Sequence, residues 1–402
     1  MRYRDVATRK VGLLGLVMIT GRLPVAMAPI ALVFLVRETE GGYRLGALLS
    51  AAFVAGEAVG APLLGVRVKG ERIRLHVGCG LAAAGVLFAG LAFARTAPEP
   101  VLIALAFLVG VAPAASPGGI QVLQANVVAE EAVQKVFSLG AALTQGIWAA
   151  APVLVTLLAL QVSPGAPLLL AAVLAGTAAL LLVFLKVRMR RPEAPARPAG
   201  RARTLASAWP VFLMNAAGMY LLASLELFLP ALLEARHISL HWAGVLLGLL
   251  AAVNAAAALC YGLRPWPGSH RTQSTVLLLA TSLCVCLVGV VPGLLWITLL
   301  LVLAGFLDSA AALSRSLSLR AAIPQDMHLA AYSVNYSVIG IGYGGSAVAA
   351  SFLLAHGSPL LGIAAGAAFT SLLTLAAHVG ERRPRAETRG RQSEATPAAD
   401  AR

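Results

Sequence analysis

Twelve long apolar runs divide this sequence from end to end, and each is close to the roughly 20 residues that an α-helix needs to cross a bilayer. They occupy residues 11–36, 42–66, 73–95, 99–127, 136–161, 164–187, 207–233, 240–263, 272–292, 294–318, 329–354 and 358–379. Only 12% of the 402 residues are charged, which is about half the share found in soluble proteins. The sequence therefore predicts an all-α membrane protein with twelve transmembrane helices.

The distribution of lysine and arginine predicts how these helices are oriented. With both termini in the cytoplasm, 26 of the 31 Lys and Arg residues fall on the cytoplasmic side and four fall outside. This bias is typical of membrane proteins, and we predict a multi-pass protein of the cell membrane with both termini cytoplasmic. The basic start is similar to a signal peptide, but the apolar run continues through Pro29 to Val36, so we predict an uncleaved first helix.

Two pairs of matching segments indicate an internal duplication. The stretch "FSLGAALTQG" (137–146) matches "YSVNYSVIGIG" (332–342), and "GVRVKGER" (65–72) matches "GLRPWPGSHR" (262–271) at nearly the same offset. A duplicated six-helix unit suits a transporter whose binding site lies between two halves that tilt. The predicted boundaries are 1–187 for the N-terminal six-helix bundle, 188–206 for a cytoplasmic linker, 207–380 for the C-terminal six-helix bundle and 381–402 for a disordered cytoplasmic tail.

Three charged side chains lie at a similar depth in the predicted membrane. Arg22 in the first run, Glu57 in the second and Asp308 in the tenth each lie roughly 14–16 Å from the inner face, at 1.5 Å per residue. An isolated charge at this depth is costly. Because Arg22 and Glu57 are on adjacent antiparallel helices, we predict that they interact directly or through one water. The pair is either a structural clamp within one half or part of a substrate or proton site.

Asp308 has no evident cation beside it in the sequence. Arg315, two turns along the same run, is expected to extend towards the membrane interface. A desolvated carboxyl without a partner favours its protonated form, so Asp308 is a candidate proton or substrate site. Glu226, near the outer end of the seventh run, is a candidate gate residue. The further candidates for substrate or proton binding are the amide side chains Gln121, Gln124, Gln145, Asn215 and Asn335.

Several short motifs recur in known transporters. They are "RLP" at 22–24 in the first run, "GAPLLG" at 60–65 in the second and "GIWAAAPV" at 146–153 in the fifth. With them the sequence resembles the major facilitator superfamily over residues 11–379, and most of all its actinobacterial drug-efflux-like members. The resemblance implies two pseudo-symmetric six-helix bundles, in which helices 3, 6, 9 and 12 lie outside a cavity lined by the other eight.

The loop after the second run departs from the pattern of that superfamily. The pattern is G-x-x-x-D-R-x-G-R-R, and the loop here, "GVRVKGERIR" (65–74), keeps glycines and basic residues but lacks the Asp. The resemblance implies gating roles for Gly65, Arg67 and Arg72.

The leading hypothesis for function is a secondary active transporter, coupled to protons, that exports a small organic or amphiphilic molecule by alternating access. No Walker A motif is present, so the chain does not encode ATP hydrolysis. Import of a small nutrient or metabolite on the same fold is the alternative. A membrane enzyme acting on a lipid-linked substrate is remote, because the loops carry isolated acids such as Glu71 and Asp326 rather than a cluster suited to metal–phosphate chemistry.

These hypotheses also predict the partners of the protein. The formal charge of +14 does not indicate nucleic acid, because the basic residues lie in loops between apolar runs and form no nucleic-acid motif. The expected partners are a small-molecule cargo, protons as the coupling ion and the lipid bilayer. We expect a monomer without enzymatic activity, cofactor or metal.

Overall fold

The computed structural model describes residues 8–39, 42–67, 72–185, 200–264, 266–356 and 358–394. Its long helices are α1 (Arg9–Val36), α2 (Gly42–Arg67), α3 (Ile73–Phe93), α4a (Glu99–Val111), α4b (Ser116–Asn126), α5 (Val133–Gln161), α6 (Ala166–Phe184), α7 (Trp209–Ala235), α8 (His241–Leu263), α9 (His270–Val290), α10 (Leu294–Ala322), α11 (His328–His356) and α12 (Pro359–Glu394). With α4a and α4b taken as one span, twelve of these are long and apolar enough to cross a membrane. The described residues contain no β-strand, and the predicted fold class is confirmed.

The fourth span is broken, although the sequence predicts one continuous run over residues 99–127. A turn at residues 112–115 separates α4a from α4b, where the Ser116 amide donates to the Pro113 carbonyl at 2.8 Å. Pro113 has no amide hydrogen to continue the helix, whereas Pro117 suits the first turn of a new one. Gln121 and Gln124 therefore lie on α4b, which begins after the break.

The segments outside the two predicted bundles differ in part from expectation. The last helix continues to Glu394, whereas the sequence predicts a disordered tail from residue 381. A short helix, Arg201–Ser207, occupies the end of the predicted linker. The remainder of that linker, 188–199, and the tail residues 395–402 lie outside the described residues.

Equivalent contacts in the two halves agree with an internal duplication. Arg74 at the start of α3 donates from Nη1 to the carbonyl of Leu185, just after α6, at 2.8 Å. In the second half, Arg271 at the start of α9 donates from Nη2 to the carbonyl of His378 in α12 at 3.3 Å. Each arginine thus donates to a carbonyl group of the last spanning segment of its own half, just after α6 in the first half and within α12 in the second.

Buried apolar side chains show where the two halves meet. One large cluster, at the end where α1 starts and α6 ends, combines Leu14 and Leu185 with Tyr261 and Leu317. We call this end the terminal end. The other two large clusters among the described residues each belong to one half, residues 23–175 and residues 214–377. The halves are therefore packed together at the terminal end.

Burial decreases along the facing helices away from the terminal end. On α2, Ala61 is fully buried, whereas Val54, two turns further along the same face, is 47% exposed. On α11, Ser333 is fully buried, Tyr336 is half-buried and Tyr343 is 42% exposed. Residues at these spacings lie on one helix face, so the same faces that touch at the terminal end separate towards the opposite end. The space between the halves opens there.

Two glycines allow close contact between α2 and α4a in the first half. A Cβ atom added to Gly110 would overlap the Phe53 carbonyl oxygen, and one added to Gly56 would overlap the Phe107 carbonyl oxygen. Such close backbone contact is how small residues stabilise helix pairs in membranes.

Gly110→Val is expected to destabilise the protein by about 3 kcal/mol, because a rigid carbonyl group cannot move away from the added side chain. The measurement is the midpoint of thermal unfolding in detergent. Gly90→Val is the matched control, because Gly90 has no neighbouring atom within 4 Å of an added Cβ. Equal unfolding midpoints for the two variants would contradict the prediction.

Candidate functional site

Arg22 lies midway along α1 and faces α5. Its Nη1 atom donates a hydrogen bond to the hydroxyl oxygen of Thr144 at 3.0 Å, and this hydroxyl in turn donates to the Gly140 carbonyl at 2.9 Å. The guanidinium is half-buried. A single hydrogen bond leaves other donors of Arg22 available, since a guanidinium has five N–H groups.

Glu57 on α2 is bound from the opposite half of the molecule. The Tyr336 hydroxyl on α11 donates to Glu57 Oε1 at 3.1 Å, and the neighbouring Ser337 donates to the Ala58 carbonyl at 3.0 Å. Both residues of α11 belong to the second half of the chain. A carboxylate of one half therefore accepts a hydrogen bond from a hydroxyl of the other half.

The predicted direct contact between Arg22 and Glu57 is absent. Within the described residues, no nitrogen of Arg22 lies within 4.0 Å of a carboxylate oxygen of Glu57. The two side chains still interact electrostatically, and the Tyr336 hydroxyl interacts with both. The reason is that Arg22 extends to α5 whereas Glu57 extends to α11. The two side chains that the sequence predicts as a pair thus form hydrogen bonds to helices of different halves.

Arg315 occupies the interior of the second half. Its side chain is 4% exposed, and its Nε atom donates to Asn215 Oδ1 on α7 at 3.0 Å. A Cβ atom added to Gly218 would lie 2.7 Å from Arg315 Nη2, so this glycine leaves the space that the guanidinium fills. The expectation that Arg315 extends to the membrane interface is wrong, because Asn215 provides a buried acceptor.

Asp308 and Glu226 lie near each other in the second half. Asp308 is 9% exposed and interacts electrostatically with Arg315 and with Glu226. The prediction that no cation lies near Asp308 is wrong, because Arg315 interacts with it. Glu226 is half-buried and also interacts electrostatically with Tyr343. Two carboxyl groups and one guanidinium therefore share this region.

The predicted amide residues are spread over several helices. Gln124 is buried and donates to the sulfur of Met18 at 3.4 Å. Asn335 is buried, and its Oδ1 atom has no hydrogen-bond partner in the described part of the chain. Gln121 and Gln145 are half-buried. Among the residues described, no hydrogen bond connects these four to Arg22, Glu57 or Asp308.

The predicted gate residues separate into three groups. Gly65 lies in the contact between the halves, because a Cβ atom added there would overlap the side chain of Ser333 on α11. Arg72 is exposed immediately before α3. The side chain of Arg67 lies outside the described residues.

Three residues of the site, Tyr336, Ser333 and Ser337, are not predicted from the sequence. The three residues have the 3- and 4-residue spacing of one helix face, and this polar stripe within an apolar run is a signal of contact with something other than lipid. Thr144 gave no such signal, because a lone threonine in a helix commonly bonds to the preceding turn.

The sequence of this chain matches one known protein family. The sequence profile of the Major Facilitator Superfamily matches residues 14–306, which is more than half of the chain. The chain belongs to the major facilitator superfamily. It is thus a multi-pass membrane protein of a transporter family. The narrower resemblance to drug-efflux-like members stays a prediction, and no curated protein matches the chain.

Solved structures of superfamily members have the same fold. The human organic anion transporter MFSD10 (TETRAN) is 17% identical with a TM-score of 0.68, over 93% of this chain and 99% of that chain. The proton:xylose symporter XylE is 12% identical with a TM-score of 0.68, over 91% and 94%. FucP in the outward conformation is 14% identical with a TM-score of 0.70, over 93% and 99%. At these identities the likeness concerns the fold alone.

Proposed function

We propose that this major facilitator protein is a proton-coupled secondary transporter that exports a small organic or amphiphilic molecule by alternating access. The observation that carries the proposal is the hydrogen bond from Tyr336 to Glu57, because it links a titratable group of one half to the other half. Any tilt of the halves that separates α2 from α11 removes this donor. Protonation of Glu57 and the position of the halves are then thermodynamically linked.

The proposed orientation places the terminal end in the cytoplasm of a cell-membrane protein. It rests on the large excess of Lys and Arg residues on this side of the predicted topology, in accordance with the positive-inside distribution. With that orientation, the halves are closed towards the cytoplasm and the space between them opens outwards. This corresponds to a transporter that has released its cargo outside.

The second half supports a proton or a cationic group as the species that is exchanged. Asp308, Glu226 and Arg315 interact electrostatically, and two neighbouring carboxylates in a desolvated region resist ionising together. Of the titratable groups of the cavity, we assign the transferred proton to Asp308 and the linkage to the position of the halves to Glu57. Glu226 interacts with Tyr343, whose exposed face continues the α11 face that carries Tyr336, so Glu226 lies beside the cavity and is available to cargo.

The other predicted residues complete this proposal. Arg22 retains free donors beside the cavity, and the amide groups supply neutral hydrogen bonds to cargo. We assign these contacts to Gln121, Gln124, Gln145 and Asn335, and we assign to Asn215 the positioning of Arg315 beside Asp308. Gly65, with Arg67 and Arg72 next to the same loop, is assigned to closure of the terminal end.

Import of a small metabolite is the second candidate. The observation that favours it is the similarity in fold to the proton:xylose symporter XylE and the fucose:proton symporter FucP. The exposed walls of this cavity favour amphiphilic cargo instead, because they include the apolar or aromatic side chains Val54 and Tyr343.

Uptake by inside-out vesicles distinguishes export from import. The probes are labelled amphiphilic amines, labelled carboxylates and labelled sugars, each added with an acidic or a neutral lumen. Export in exchange for protons predicts that an amphiphile accumulates inside the vesicles only when their lumen is acidic. Vesicles without the protein are the control. Accumulation of a sugar only in right-side-out vesicles with an acidic exterior would support import and contradict the proposal.

A further inference from the structure

A small cavity lies inside the second half, between α7, α8, α9 and α10. Its volume is about 10 Å³, which is about the least space that one water molecule occupies. Asp308 lines this cavity together with Gly305 and Thr281, and the other lining residues are apolar. The Asp308 side chain therefore borders a nearly dry space within one half of the protein.

Asn254 on α8 lies against the same turn of α10. A Cβ atom added to Gly305 would lie 3.2 Å from Asn254 Oδ1, and Gly305 shares a helix face with Asp308, one turn further along. The hydroxyl of Ser309, the residue after Asp308, donates to the backbone carbonyl of Asn254 at 2.8 Å. Contacts on both sides of Asp308 along α10 thus fix Asn254 beside it.

The Asn254 side chain carries an acceptor that has no donor. The residue is 2% exposed, and its Oδ1 atom has no hydrogen-bond partner anywhere in the described ranges. A buried acceptor without a partner is costly and rare in folded proteins. A donor that exists in only one protonation state of a neighbouring group would explain this atom.

Asp308 lacks hydrogen bonds in a complementary way. Among the residues that the structure describes, none donates a hydrogen bond to its carboxylate. Thr281 lines the cavity but donates its hydroxyl hydrogen to the Leu277 carbonyl at 2.8 Å, so only the lone pairs of this oxygen remain. An ionised carboxylate can only accept hydrogen bonds, whereas a protonated one donates an O–H. The polar surroundings of the cavity therefore suit the protonated form of Asp308.

We propose that Asn254 is a positioning residue that holds the protonated form of Asp308 by accepting its O–H hydrogen at Oδ1. The ionised form cannot use this acceptor and is balanced instead by Arg315, with which it interacts electrostatically. The proposal rests on the proposed function, in which Asp308 carries the transferred proton. It adds the group that makes the protonated state favourable inside the second half.

Two charged groups also face Asp308. Glu226 on α7 and Arg315 on α10 interact with it electrostatically. The residues that α8 and α9 contribute to the cavity do not titrate; they are Leu250, Thr281 and Val285. Replacing Asn254 therefore changes a hydrogen-bond partner of Asp308 and leaves the charges around it in place.

The test follows the protonation of Asp308 directly. Infrared spectra of the purified, reconstituted protein are recorded over a range of pH, and the carbonyl stretching band of protonated carboxylic acids is measured. The part of this band that Asp308→Asn removes belongs to Asp308, and the pH at which it is half-maximal is the titration midpoint. The same difference in the Asn254→Leu background gives the midpoint without the acceptor. The measurement needs no cargo, so it is independent of the transport assay.

Asn254→Leu is expected to lower the titration midpoint of Asp308 by about one pH unit, or about tenfold in the proton-binding constant, because the protonated form loses its acceptor. Asn254→Ser keeps an oxygen acceptor on a shorter side chain and should lower the midpoint by less. Thr281→Val is the matched control, because it removes the other side-chain oxygen at the cavity. It should leave the midpoint unchanged.

Three results would overturn the role of Asn254 and leave the proposed function intact, because Asp308 still titrates in each. An unchanged midpoint in both Asn254 variants, even with a lower unfolding temperature, would assign this residue a structural role only. A higher midpoint in Asn254→Leu would show that the amide donates to ionised Asp308 instead. A shift in Thr281→Val but not in Asn254→Leu would assign the acceptor to Thr281.

One further result would contradict both proposals. If Asp308→Asn removes no titrating band from the wild-type spectrum, Asp308 does not take up a proton. The assignment of the transferred proton to Asp308 and the role of Asn254 would then fail together, which distinguishes this outcome from the other three.

Discussion

Replacing Asp308 by asparagine is expected to abolish cargo transport driven by a pH gradient while preserving cargo exchange at equal pH. Asparagine has the shape of a protonated aspartic acid but cannot release a proton. The side chain is 9% exposed and interacts with Arg315 and Glu226, so its ionisation depends on how far the halves admit water. The measurement is flux of a transported compound in reconstituted vesicles, with and without a gradient.

The control for this prediction is Glu99→Gln, which removes an exposed carboxylate far along the chain from Asp308. It should reduce neither mode of transport. If Asp308→Asn retains full gradient-driven flux, Asp308 does not carry the proton, and Glu57 and Glu226 remain as the titratable groups of the cavity. Glu226→Gln then tests Glu226 by itself, because it leaves the hydrogen bond of Glu57 across the halves intact.

Arg22→Ala is expected to lower both the transport rate and the stability of the protein, the latter by about 2 kcal/mol. Without Arg22, the half-buried Glu57 loses its favourable electrostatic interaction. The double variant Arg22→Ala with Glu57→Gln should recover much of the stability, because the unbalanced charge is gone. It should not recover transport. The measurements are unfolding midpoints in detergent and flux in vesicles.

Thr144→Val is the matched control for Arg22. It removes the hydrogen bond that the guanidinium makes within the described residues and keeps both charges, so its cost should be about 1 kcal/mol. Equal losses of stability in Arg22→Ala and in the double variant would show that Glu57 and Arg22 do not influence each other's energy. That result would contradict the proposed interaction between Arg22 and Glu57.

The number of spans was predictable because membrane crossing depends on local properties. A run of about 20 apolar residues and its flanking charges decide whether a segment crosses the bilayer. The break in the fourth span was not predictable in the same way. Pro113 lies at the break, yet Pro24, Pro29 and Pro62 lie inside continuous helices. Proline alone does not distinguish the two outcomes, since tertiary packing decides whether its neighbours find other partners.

The polar contacts were harder to predict than the spans. Depth along a helix placed Arg22, Glu57 and Asp308 in one layer. Depth alone does not show how each helix is rotated about its axis or which helices its side chains face. Asn215 therefore went unrecognised as the acceptor for Arg315. Tyr336 went unrecognised as the donor to Glu57, because a contact between halves depends on which end of the molecule is closed.

The most direct test of proton-coupled export measures proton movement when cargo moves. A pH-sensitive dye is enclosed in inside-out vesicles with an acidic lumen, and a compound shown to accumulate is added outside. Exchange predicts that the lumenal pH rises with wild-type protein as the compound enters, and that it stays constant with Asp308→Asn. Entry of the compound with no change in lumenal pH, or with further acidification, would contradict proton-coupled export.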